Sequence, residues 1–153
     1  MVDWKRNALV VVALLWAGIL FGVSFLATPA KFGAPSLSLA VAVDVGRSTF
    51  AVLNRVELGC AVLAVGLLIG GASREVWVWL ASGLAVLGLL LETLWLLPIL
   101  DERAQVVIDA GTPPTSSLHD VYIAVDVVKF VALILTAFFL LVRTEQQPSV
   151  RKG

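Results

Sequence analysis

Polar chemistry is scarce in this chain. Its 153 residues include one cysteine, one histidine, one methionine and one tyrosine, and only 14% are charged. Soluble domains carry about 25% charged residues. A single cysteine excludes an intramolecular disulfide and a thiolate-rich metal site. Cys60 lies in an apolar run and reads as a packing residue. A single histidine excludes haem held by two histidines. Lysine and arginine (11) balance aspartate and glutamate (11), so no basic surface for nucleic acid follows. No nucleophile elbow, phosphate loop or metalloprotease signature is present. The residues leave any cofactor unidentified, and enzymatic chemistry has no recognisable substrate-binding feature behind it.

Apolar residues fill the space. They make up 59% of the chain, and the mean hydropathy is +0.98. Four stretches are long enough to span a bilayer, which takes about 17–25 residues. They run over 8–26, 56–72, 76–97 and 121–142. The first follows Lys5 and Arg6 and precedes a weak cleavage-like Thr28-Pro29-Ala30. Its apolar core is longer than a signal peptide's, so it reads as a mature helix. The expected fold is an all-α, four-span bundle, one domain embedded in lipid.

Four spans place both termini on one side, with Lys5, Arg6, Arg74, Arg143, Arg151 and Lys152. The other side holds Lys31, Arg47, Arg55, Arg103 and Lys129, three of them within helices. Discounting those leaves six cations against two (5 − 3). The positive-inside rule then puts the termini in the cytoplasm and the chain in the plasma membrane, the inner one in a bacterium. Trp4, Trp77, Trp79 and Trp95 suit interfacial anchors near span ends, whereas Trp16 is deeper and suits packing.

The connections differ in length. Gly70-Gly71-Ala72-Ser73-Arg74 predicts a short turn. Pro29 and Pro35 bracket a break after the first span. The segment 36–55 lacks a strong breaker apart from Gly46 and reads as a helical extension of span two. The joined helix would be about 55 Å long at 1.5 Å per residue, more than the ~30 Å hydrocarbon core. The connection 98–119 holds a possible short helix over 101–109. Gly111 suits its stop, Pro113-Pro114 prevent continuation, and Ser116 or Ser117 suit a cap for the last span. Together these predict a small outer cap. Gly18/Gly22 and Gly66/Gly70 have the GxxxG spacing of close helix packing.

Polar residues gather on the outer half. His119, Tyr122, Asp126 and Lys129 fall within an arc of roughly 80° on the last span. Asp44, Arg47, Asn54 and Arg55 form a stripe on the second helix, with Glu57 roughly 100° from its middle. Glu92 lies six residues before Pro98. Arg47, Arg55 and Lys129 face Asp44, Glu57, Glu92 and Asp126, which leaves one surplus acid. A protonated carboxyl, a bound cation, a positive His119 or Arg103 would satisfy it. His119 with Glu57, Glu92 or Asp126 offers metal-ligand types, but without HxxxH, CxxC or a second histidine.

Two readings stand. The ten residues form a pocket that binds or helps move a small ion or polar solute. Alternatively, they are a buried ion-pair network that fixes the bundle of a structural or accessory subunit. The lipid bilayer is the certain environment, and a homo-oligomer or a membrane partner subunit could complete a path.

Gly22, Phe25, Pro29 and Phe32, the polar-striped second helix, Leu97-Pro98 and Leu118-His119 together resemble the transmembrane protein 205-like family of four-helix membrane proteins. The likeness spans roughly 8–142. Copper-resistance D-type domains share such short cues. The resemblance implies an architecture and carries over no activity and no site residue.

Overall fold

The computed structural model describes residues 4–112 and 115–142. The Pro113-Pro114 stop lies outside them, as do Arg143, Arg151 and Lys152 of the charge tally. The described chain forms four helices long and apolar enough to cross a membrane: α1 (Trp4–Phe32), α2 (Leu39–Ile69), α3 (Val76–Ile108) and α4 (Leu118–Val142). This is an integral membrane protein with an up-down four-helix bundle. Each helix packs on its two sequence neighbours, and α4 closes the ring against α1. The start of α1 and the end of α4 lie at one end of the bundle. There Lys5 Nζ donates to the Gly70 carbonyl at 2.7 Å and Arg6 donates to the Leu140 carbonyl. The opposite end is called distal below.

The helix starts and stops follow from local chemistry. Ser38 Oγ accepts the Val41 N–H at 3.4 Å and caps α2. Gly71, at φ +90°, ends α2 in the left-handed conformation. The Gly71 and Ala72 amides then close on the Leu68 and Leu67 carbonyls at 3.0 and 2.9 Å. The same device ends α3, one residue earlier than Gly111 suggested. Ala110 takes the positive φ of 60°, while Gly111 N donates to the Val106 carbonyl at 2.8 Å. A Cβ is disfavoured in that conformation by about 1–2 kcal/mol. Ala110→Gly is therefore expected to stabilise the protein by about 0.5–1 kcal/mol, read as a rise in unfolding midpoint in detergent. An unchanged midpoint would contradict this account of the stop.

The chain does not break at its helical prolines. Pro29 and Pro98 sit within continuous helices, each just after a π-helical segment, Phe21–Ala27 and Glu92–Leu96. Proline lacks an N–H and its ring pushes on the carbonyl four residues back. The wider π turn opens that spacing, so the helix passes the ring. Thr28 Oγ1 also occupies the Val23 carbonyl, at 2.9 Å. The first break falls at residues 33–38, within and just beyond the interval that Pro29 and Pro35 bracket. The helix expected over 101–109 is the distal end of α3, so the outer connection shortens to residues 109–117. The extension 36–55 and span two form one helix, as expected, unbroken at Gly46 and roughly 46 Å long.

Core packing rests on alanine more than glycine. Ala13, Ala17, Ala61, Ala64, Ala81, Ala85, Ala132 and Ala137 are buried. Gly18, Gly22 and Gly66 have no neighbour within 4 Å of where a Cβ would stand. These glycines therefore do not mediate packing inside the bundle, a correction to the spacing argument. The terminus-side half is sealed by two apolar clusters, one around Leu9, Leu68, Val78 and Leu140, the other around Trp16, Leu89 and Leu133. Trp4, Trp77 and Trp79 are exposed near helix ends, as interfacial anchors should be, whereas Trp95 is exposed within α3, which continues to Ile108.

Candidate functional site

One ammonium group organises the middle of the bundle. Lys129 on α4 is 0% exposed. Its Nζ donates to Glu57 Oε1 and Oε2 on α2 at 2.9 and 3.1 Å, and to Glu92 Oε2 on α3. Asp126, one turn away on α4, brings Oδ1 to 3.0 Å. Trp16 on α1 donates its indole N–H to Glu57 Oε1 at 2.8 Å. Every helix thus contributes one side chain or more. Glu57, Trp16 and Lys129 each lie about 18–20 Å from the terminus-side end of their helix at 1.5 Å per residue.

Several elements put these groups there. The i,i+3 spacing stacks Asp126 and Lys129 on one face of α4. Glu92 opens the π segment of α3 and points inward, fully buried. Gly88, one turn earlier, makes room for the lysine stem. A Cβ at Gly88 would lie 2.7 Å from Lys129 Cγ. On α2 the buried positions include Gly46, Leu53, Glu57, Ala61, Ala64 and Leu68. Glu57 is therefore central to the inward face. The Asp44–Arg55 stripe runs along its flank, the reverse of the assignment from polarity.

Charge does not balance in this cluster. Three carboxylates meet one ammonium, a formal −2 (1 − 3). The sequence counted one surplus acid because it credited Arg47 and Arg55 to the set. Arg47 is engaged elsewhere, by Asp44 at 3.4 Å, Asp101 at 3.6 Å and Gln105 Oε1 at 2.6 Å. Glu92 Oε1 and both Asp126 oxygens are buried without a hydrogen-bond donor among the described residues.

The remaining predicted residues line two distal cavities. A chamber of about 170 Å³ is bordered by Ser24, Phe25, Phe50, His119, Tyr122 and Asp126. Above it lies a vestibule of about 600 Å³, whose wall includes Arg47, Asn54, Arg55, His119 and Tyr122. His119 and Tyr122 border both and stand between the vestibule and the chamber that Asp126 borders. Arg55, Asp101 and His119 are exposed, which leaves the vestibule open. Asn54 is held by Thr93 Oγ1 at 2.7 Å. Asp44 reaches neither cavity and serves as an exposed partner of Arg47.

Sequence reasoning missed Trp16, Ser24, Lys31, Asp101 and Gln105. Trp16 carried a usable signal: an indole N–H this deep needs an acceptor, and Glu57 lies at matching depth. Among the described residues no three His, Cys, Asp or Glu side chains are arranged to hold a metal ion. Lys129 occupies the position a cation would take between the carboxylates.

Fold and site together define a four-helix integral membrane protein with a buried ionic cluster below an open polar vestibule. Compared with protein-family models, curated proteins and solved structures, the chain has no match in any of the three.

Proposed function

We propose that this protein binds a small cation, a proton, from its distal side at the Glu57–Glu92–Asp126–Lys129 cluster, as the ion-linked step of a membrane binding or transport unit. The observation that carries this is Asp126, buried, sharing Lys129 with two other carboxylates, accepting no hydrogen bond among the described residues, and bordering a chamber next to the open vestibule. An uncompensated buried charge costs several kcal/mol, so a formal −2 favours uptake of positive charge. The vestibule wall carries Lys31, Arg47, Arg55 and Arg103 against Asp101, which repels metal cations on approach. A proton needs only a hydrogen-bonded route, and His119 and Tyr122 line one. The charge asymmetry of the sequence supports a distal end facing away from the cytoplasm.

A second reading has its own support. The Trp16–Glu57 and Lys129 bonds tie all four helices, as a register lock in a structural subunit would. Infrared spectroscopy of protein in nanodiscs separates the two. The ion-linked reading expects a pH-dependent protonated-carboxyl stretch that Asp126→Asn removes or shifts, with the fold intact. A spectrum unaffected by pH and by Asp126→Asn leaves the structural role. The Leu97-Pro98 and Leu118-His119 cues support kinship with the transmembrane protein 205-like proteins, which supplies architecture and no chemistry.

A further inference from the structure

The vestibule has a composition that the proton site does not explain. Its charged wall is Lys31, Arg47, Arg55 and Arg103 against Asp101, a formal +3 (4 − 1). Such an excess is unusual in a cavity otherwise walled by Phe32, Phe50, Leu97, Leu100 and Val107. Arg47 is neutralised by Asp44 and Asp101 and fixed by Gln105. Lys31 and Arg55 make no ion pair among the described residues. Lys31 Nζ instead lies 5.0 Å from the Phe32 ring and 5.8 Å from the Phe50 ring. It fits against Gly46, where any Cβ would overlap the ammonium group. A lysine seated in this notch, beside rings and with no carboxylate partner among the described residues, is positioned for an anion that is not part of the protein.

Size and wall chemistry narrow the ligand. A volume of about 600 Å³ falls in the range of sites for small organic molecules. Apolar walls with a few placed polar groups suit a molecule with an apolar body and one charged head. We propose that the vestibule binds a mono-anionic amphiphile. Its carboxylate or phosphate head is held by Lys31 and Arg55, and its apolar body lies against Phe32, Phe50, Leu97 and Leu100. This inference uses no atom of the buried cluster and stands whether or not that cluster takes up a proton.

The test is calorimetric titration of the full chain in nanodiscs of zwitterionic lipid. Decanoate is the probe and decyltrimethylammonium the control of opposite charge. Decanoate is expected to bind saturably and the control not to bind. Lys31→Gln and Arg55→Gln should each weaken decanoate about tenfold or more, the size of a lost charge-assisted bond. Both sit on partly or fully exposed side chains, so the fold is retained, and circular dichroism checks this. Gly46→Ala keeps every charge but displaces Lys31, and should weaken decanoate comparably. Repeating the titration in phosphatidylglycerol nanodiscs identifies the source. Competition marks a membrane phospholipid as the natural occupant, and undiminished binding marks a free anion. Equal affinity for wild type and the Lys31→Gln/Arg55→Gln protein, or equal binding of the cationic control, would overturn the proposal.

Discussion

Lys129→Met is expected to destabilise the bundle by about 3–5 kcal/mol, the cost of stripping a buried ion pair of one partner. The side chain is 0% exposed and its ammonium is the cation shared by Glu57, Glu92 and Asp126. Methionine fills nearly the same volume, so packing changes little and the effect is electrostatic. Three carboxylates would then face one another without a counter-charge. Glu57 would keep the Trp16 indole, and Glu92 and Asp126 would have no donor among the described residues. Neutralising the acids should return most of the loss. The Glu57→Gln/Glu92→Gln/Asp126→Asn/Lys129→Met protein, with all three acids neutralised, is expected near wild-type stability, since a buried ionic set often contributes little over a neutral one. Denaturant titration in mixed micelles reads both values. A Lys129→Met midpoint within about 1 kcal/mol of wild type would show that the carboxyls do not need the lysine.

Gly88→Ala should have the next largest effect, about 1–3 kcal/mol, from a methyl group inserted where none fits. Its Cβ would stand 2.7 Å from Lys129 Cγ, 3.2 Å from Cδ and 3.3 Å from Val125 Cγ1. Elsewhere a lysine stem would swing aside. Here the far end is held by three carboxylates on three helices, so the stem cannot move without breaking those contacts. Gly83→Ala, on the same helix with nothing within 4 Å, is the control. It should be neutral or stabilising by up to about 1 kcal/mol, as helix propensity dictates. If the two substitutions behave alike, Lys129 is not rigidly held.

The spans were readable from sequence because lipid demands long apolar runs and the turns are marked by glycine, serine and proline. The inward faces were harder to read. In water, hydrophobic periodicity reveals the buried side of a helix. In lipid both sides are apolar, and small or ionisable residues alone mark the interior. That held for Tyr122, Asp126 and Lys129, three buried residues of one α4 face. It failed on α2, where the visible stripe from Asp44 to Arg55 runs along the vestibule flank and the inward face is mostly glycine, alanine and leucine around Glu57. It also gave too small a charge surplus, because pairing cannot be assigned before positions are known. Arg47 lies nearer Asp101, 54 residues away, than any core acid. Proline misled most. The first span ends later than Pro29 and the third runs past Pro98, and nothing in the local composition announces the π turns that absorb the two rings.

Those two π turns make chain length itself part of the design. Each winds more residues into a turn than an α-helix would, so everything beyond is rotated relative to an uninterrupted α-helix. Loss of one residue from Phe21–Ala27 would turn Thr28, Lys31 and Phe32 by about 100° around the axis of α1. Loss of one from Glu92–Leu96 would do the same to Leu97, Leu100, Asp101 and Arg103 on α3. Four spans, their hydropathy and the terminus-side seal would survive such a deletion, while the vestibule would lose two of its walls. Alignments that treat single-residue gaps in these segments as neutral would therefore group together proteins with different distal halves.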